Sequence, residues 1–180
     1  MSFNWWIQTV LLRELESLER ELSLFPSEEL VWSVVPGISN SSGTLALHLC
    51  GNLQHYVGAV LGANGFVRNR ELEFARRGVS RAALASEIRQ TMGVVRDVLP
   101  GLAPEQLALE YPEEIAGKRV ATGLFLLHLS SHLAHHLGQV GYLRRVLTGQ
   151  NASSGAISIK MLSPRPAGEV FLEPDQRESR

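Results

Sequence analysis

The chain has 180 residues, with 17 basic against 18 acidic side chains and a hydrophobic fraction of 44%. That length suits one domain with a real core. The balanced charge argues against a nucleic-acid binder, which carries a basic excess or stripe, and no apolar run approaches the roughly 20 residues that span a bilayer. Cys50 is the single cysteine, which excludes intrachain disulfides and multi-cysteine zinc sites.

The N-terminal segment MSFNWWIQTVLLRELESLERELS lacks a basic n-region and a small-residue cleavage site. It therefore reads as a helix of the mature protein rather than a signal peptide, and cytoplasmic residence is the expectation. The helix spans about 3–23, with Trp6, Val10, Leu11, Leu15, Leu18 and Leu22 as its apolar stripe and Glu14, Glu16, Arg20 and Glu21 largely off it. A loop follows to about residue 41, punctuated by Pro26 and Pro36-Gly37, with Ser27 and Glu28-Glu29 able to start one helical turn. The second helix begins at Ser41 or Ser42, whose side chains suit an N-cap, and ends at Gly62. The polar stretch RNRELEFARRGVS leads to a third helix over about 80–99, capped by Ser80 and stopped by Pro100-Gly101. Residues 102–117, with Pro104 and Pro112, read mostly as loop with a short extended piece. The fourth helix covers about 120–148 and closes at Gly149; beyond it periodicity is lost, and the last six or seven residues are expected to be disordered. The three tryptophans Trp5, Trp6 and Trp32 are expected to pack a core or an interface.

Four long amphipathic helices without a strand series point to an all-α chain, a four-helix bundle. The first-to-second and third-to-fourth connections are long, so simple up-down order is not required and a crossover is permitted.

Histidine is where chemistry enters. Four of the six histidines, His128, His132, His135 and His136, crowd nine residues of the fourth helix, and His48 and His55 share the second. Imidazole is the commonest protein metal ligand, and an i, i+4 pair presents both rings on one helix face. At about 100° per residue, His132 can converge with His136 or with His128, but one ion cannot recruit all four. His132 with His136 is preferred, because Gln139 lies beyond them and Gly138 allows another helix close. His48, Asn52 and His55 form a polar line on the second helix, and His48 is the choice for a third ligand. A three-imidazole site with open positions is the pattern of a reactive metal centre. There is no HExxH, and no Glu-x-x-His pair occurs in the His-bearing helices, which leaves a single ion, zinc or nickel, with manganese and iron as alternatives. The same spacings also fit histidines that donate hydrogen bonds in a core, and for His55, His128 and His135 taken singly that structural role is the expectation. In RNRELEF, Arg68, Arg70, Glu73 and Phe74 either place a guanidinium at a site opening, with a carboxylate to hold it, or form a surface ion pair worth roughly 0–1 kcal/mol. The surface ion pair is the reading that physics alone favours.

The His early in the second helix, HLxHHxGQ in the fourth and PGISNSSGTLALHLCGNLQHYVGAVLG followed by RNRELEF together resemble the DinB-like superfamily over about residues 5–148. Its members are metal-binding four-helix bundles that include bacillithiol- and mycothiol-dependent transferases. The resemblance implies a bundle with crossover connections and a homodimer; the bundle is expected over 1–149, and the C-terminal extension over 150–180, which lies outside the resemblance, is expected to be partly disordered. It places the metal triad on His48, His132 and His136. It implies a metal-dependent enzyme that uses a low-molecular-weight thiol as cosubstrate for S-transfer to a small electrophile, with Asn52, His55, Arg70 and Gln139 as candidates to orient that cosubstrate. Two alternatives stand beside it: a metal-dependent hydrolase, and a non-enzymatic helical ligand-binding or interaction module. The expected partner is a small-molecule substrate, with no nucleic acid and no membrane.

Overall fold

Leucine and isoleucine recurring at three- and four-residue spacing wind this chain into helices, and small polar residues decide where each one starts. The computed structural model describes residues 3–162, which hold seven α-helices and no strand. They are α1 (Phe3–Ser23), α2 (Glu28–Val31), α3 (Ser42–Leu53), α4 (Arg70–Ala75), α5 (Arg81–Val98), α6 (Pro104–Ala108) and α7 (Thr122–Thr148). The chain is all-α over these residues. The Ser41 hydroxyl accepts from the Thr44 amide to cap α3, and Ser80 accepts from Ala83 to cap α5, satisfying donors that a helix start leaves open. Gly149 ends α7 in the left-handed region at φ +68°, where its amide donates to the Arg145 carbonyl.

The four expected long helices are present as α1, α3, α5 and α7. Helix α3 runs on as a π-helical segment, Gln54–Leu61, closed by the Gly62 amide donating to the Val57 carbonyl. Two short helices, α4 and α6, occupy stretches expected to be polar connection and loop. The extended piece expected between 102 and 117 is reduced to isolated bridges, Glu110 with Ala121 and Ile115 with Lys118.

Helix α1 packs mainly on α5 and α7, and α3 packs on the same two. Helices α1 and α3 meet only marginally, so long helices consecutive in the chain lie diagonally opposite, as the long connection allows. Every residue of α3 is buried, the property of a helix surrounded on all sides. Ile7, Leu11, Leu15, Leu18 and Leu22 of α1, Leu84, Ile88, Met92 and Val95 of α5, and Leu126, Leu129, Leu133, Leu137 and Val140 of α7 form one core with it.

Residue type misplaces parts of α1. Trp6 is 54% exposed, and Ile7 takes the inward place because 7, 11, 15, 18 and 22 make the unbroken three- and four-residue series. Trp5 and Trp32 are half-buried, Trp32 against the core. Glu14 and Glu21 are buried although they carry charge. They sit on the inward face, three residues from Leu11 and Leu18, and burial is tolerable because each has a guanidinium partner. Arg13 Nε donates to Glu14 Oε1 at 2.8 Å, and Arg144 Nε donates to Glu21 Oε2 at 2.5 Å. The expected C-terminal disorder falls on residues outside those described. The chain just after α7 is tied down: Arg144 also donates to the Ala152 carbonyl, and Arg20 Nε donates to the Ser154 carbonyl at 2.6 Å.

Candidate metal centre

His132 and His136 stand one turn apart on α7, and the packing of α3 on α7 brings His48 against both. Ring centroids are 5.1 Å apart for His48 and His132, 5.5 Å for His48 and His136, and 4.6 Å for His132 and His136. One ring nitrogen from each lies within 4.8 Å of the other two, and His48 Nε2 is 3.3 Å from His132 Nε2. These three side chains could hold a metal ion.

The nitrogens that face away from the cluster are largely spoken for. His48 Nδ1 lies 2.9 Å from Glu73 Oε2. A carboxylate only accepts, so Nδ1 carries the proton and the lone pair is left on Nε2. His136 Nδ1 donates to Gln139 Oε1 at 2.6 Å, which likewise leaves its Nε2 lone pair. Such outer partners orient metal-binding imidazoles and raise their basicity. His132 Nδ1 is buried with no hydrogen-bond partner among the described residues. The tautomer of this third ring is therefore not set by any of those residues. Three imidazoles converging from two helices, two of them with their tautomer set, suit a borderline ion.

Sequence reasoning weighed Glu73 only as the carboxylate of an ion pair and missed its bond to His48. Glu73 is carried by α4, whose N-cap Asn69 accepts from the Leu72 amide at 3.0 Å. Arg68 clamps it with two bonds, Nε to Oε1 at 2.7 Å and Nη2 to Oε2 at 2.9 Å. The surface ion pair expected here is instead a nearly dry His48–Glu73–Arg68 chain, with Glu73 7% and the Arg68 side chain 11% exposed. The reason is the close seat of α4 on α3: a Cβ built on Gly51 would lie 2.2 Å from Glu73 Oε1, so only glycine admits the carboxylate there. An Arg five residues before a Glu in a polar stretch is an ordinary surface pattern, and nothing local marks it for burial.

Burial would raise the Glu73 carboxyl, but hydrogen bonds from Arg68 and His48, with the Arg68 charge, outweigh it and hold the group below its usual range. Arg68 is likewise disfavoured by burial, yet its bond to Glu73 and that charge shift it upward. Burial, then the neighbouring rings of His136 and His48, pushes His132 down to about 4. His136 is also lowered, by burial first, against an opposing bond from Gln139. His132 and His136 thus favour the neutral form near pH 7, which is the form that donates a lone pair.

The remaining candidates divide. Asn52 is buried one turn after His48, and its Oδ1 has no hydrogen-bond partner among the described residues. The Gln139 amide bridges His136 and His135, its Nε2 lying 3.0 Å from His135 Nε2. The Arg70 guanidinium lies over Phe74, 5.2 Å from the ring centroid, and Phe74 in turn packs 5.0 Å from the His48 ring. His55 goes elsewhere, pairing with Glu113 at 3.0 Å. It is seven residues beyond His48, a rise of about 10 Å, and it lies past the point where π-helical winding begins. His128 stacks between Phe125 and His132 at the edge of the cluster. Cys50 is fully buried, and desolvation pushes its thiol up to about 12, so it is a packing residue.

Among known families, the model described as a protein of unknown function, DUF1572, matches residues 6–161. No curated protein and no solved structure matches the chain. No helix among the described residues is long and apolar enough to cross a membrane.

Proposed function

The chain belongs to this helical family of unknown function, and from that premise we propose that it is a metal-dependent enzyme of the DinB-like type, a four-helix bundle working as a homodimer. It binds one divalent ion, zinc or nickel, through His48, His132 and His136. Its reaction is transfer of a low-molecular-weight thiol to a small electrophile. The observation that carries the reading is the set of three ring nitrogens from two helices within 4.8 Å, with Glu73 and Gln139 holding the outer nitrogens of two of them.

An ion held by His48, His132 and His136 would supply Lewis acidity, which lowers the pKa of a thiol or a water. The protein's own groups do the rest. Glu73 and Arg68 lock the His48 ring, while Gln139 locks His136. Asn52 Oδ1, without a partner among the described residues, can accept a hydrogen bond from a cosubstrate donor. Arg70, held over Phe74 beside His48, offers a cation for an anionic cosubstrate.

The test begins with the metal content of protein purified without chelators or a His-tag, beside a His132→Ala/His136→Ala double variant. About one ion per chain in the parent and none in the variant is the expected result. If neither binds metal, even with added zinc or nickel, the histidines are structural and a ligand-binding module leads. With metal established, thiol consumption against a panel of electrophiles separates the two enzyme classes, because hydrolysis needs no thiol.

A further inference from the structure

One turn before His48 on α3 and one turn beyond His136 on α7, the same two helices open into a groove of about 500 Å³, closed on its far side by the loop over 35–40. Leu45, Gln139, Tyr142 and Val146 line it from the helices, and Val35 and Ile38 from the loop. Among the described residues no charged side chain lines it. Tyr142 is 76%, Val146 64% and Ile38 48% exposed, although large apolar side chains clustered on one surface usually mark a binding site. The volume falls within the range of small-molecule sites, roughly 300–1,000 Å³. The groove adjoins the imidazole cluster through Gln139, which lines the groove while its amide holds His136 and His135.

We infer that this groove binds the apolar body of the small molecule that reacts at the imidazole cluster, an uncharged alkyl or aryl tail with its polar head at Gln139. The inference rests on the metal-centre reading for the head and on the groove alone for the tail. The sharing of Gln139 is what favours a small molecule over a second copy of the chain, since it sets one wall of the groove one helical turn from His136.

Two measurements separate head from tail. On metal-free protein, the uncharged probe N-phenyl-1-naphthylamine should bind and fluoresce, and a Tyr142→Ser/Val146→Ser variant should lose at least tenfold in affinity for it. Both positions are exposed, so the variant is expected to fold with the parent's helix content. On nickel-loaded protein, calorimetry with n-alkyl hydroxamates from two to eight carbons should give roughly a three- to fourfold gain in affinity per methylene. The variant should flatten that slope while keeping its metal content and its affinity for acetohydroxamate. An absent probe signal, a probe affinity that the variant does not change, or a flat hydroxamate series on metal-loaded parent would overturn the inference. A parent that sediments as a dimer and a groove variant that is monomeric would assign the face to a second copy instead. A parent that takes up no metal and no acetohydroxamate would instead sink the metal-centre reading, leaving the probe result to decide the groove.

Discussion

Only one tautomer of His48 can donate to the Glu73 carboxylate, and that constraint is the most specific chemistry in the molecule. Glu73→Gln keeps the side-chain length but removes the charge that holds the Nδ1 proton and anchors Arg68. It is expected to weaken metal binding by roughly 10–100-fold, the usual cost of losing an outer partner of a metal-binding imidazole, as measured by competition with a chromogenic chelator. Unchanged affinity would mean that Glu73 organises the fold rather than the site. Cys50 gives a second expectation. A thiol reacts as thiolate, and burial raises this one from 9.0 to about 12, so at pH 8 the native protein holds almost none of the reactive form. Iodoacetamide should therefore leave Cys50 unmodified at pH 8 in native protein and label it once urea unfolds the chain. Rapid labelling of the native protein would show that α3 opens readily around the cluster.

At the scale of elements, the site depends on how closely α4 lies on α3. Gly51 is the point of approach, and the Cβ of an alanine there would overlap Glu73 Oε1. Gly51→Ala touches no proposed ligand, yet it should expel Glu73 and weaken metal binding about as much as Glu73→Gln, again on the order of 10–100-fold. Parent-like affinity would show that the short helix can shift without consequence. The long helices themselves were legible beforehand, because apolar spacing, the Ser41 and Ser80 caps and the Gly149 stop are local properties. Helix α4 was not. Its six residues, RELEFA, show no amphipathic stripe long enough to register, and its position follows from packing on α3. The π-helical end of α3 was equally hidden, since Gln54–Leu61 carries the same kind of residues as the α-helical part before it.

Across the whole molecule, Glu21 and Arg144 join α1 to α7 from 123 residues apart, and both are almost fully buried. Removing one partner leaves an uncompensated charge in the core, so Arg144→Met should cost about 3–5 kcal/mol in urea unfolding. The double variant Glu21→Gln/Arg144→Met should recover part of that loss, and a strictly additive pair would show that the two charges do not interact. Arg144 also holds the Ala152 carbonyl, so either change should loosen the chain just after α7, readable as faster amide exchange there. The pair marks the division between what is local and what is not. Helical character, the spans of the four long helices and the convergence of His132 with His136 follow from the sequence, because they depend on spacing along one helix. The choice of His48 as the third imidazole also agrees with the cluster observed. The burial of Glu14, Glu21, Glu73 and Arg68, the diversion of His55 to Glu113 and the groove beside Gln139 were decided by tertiary structure alone. A charged side chain is buried only when a distant partner arrives to compensate it, and no periodicity along the chain records which partner that will be.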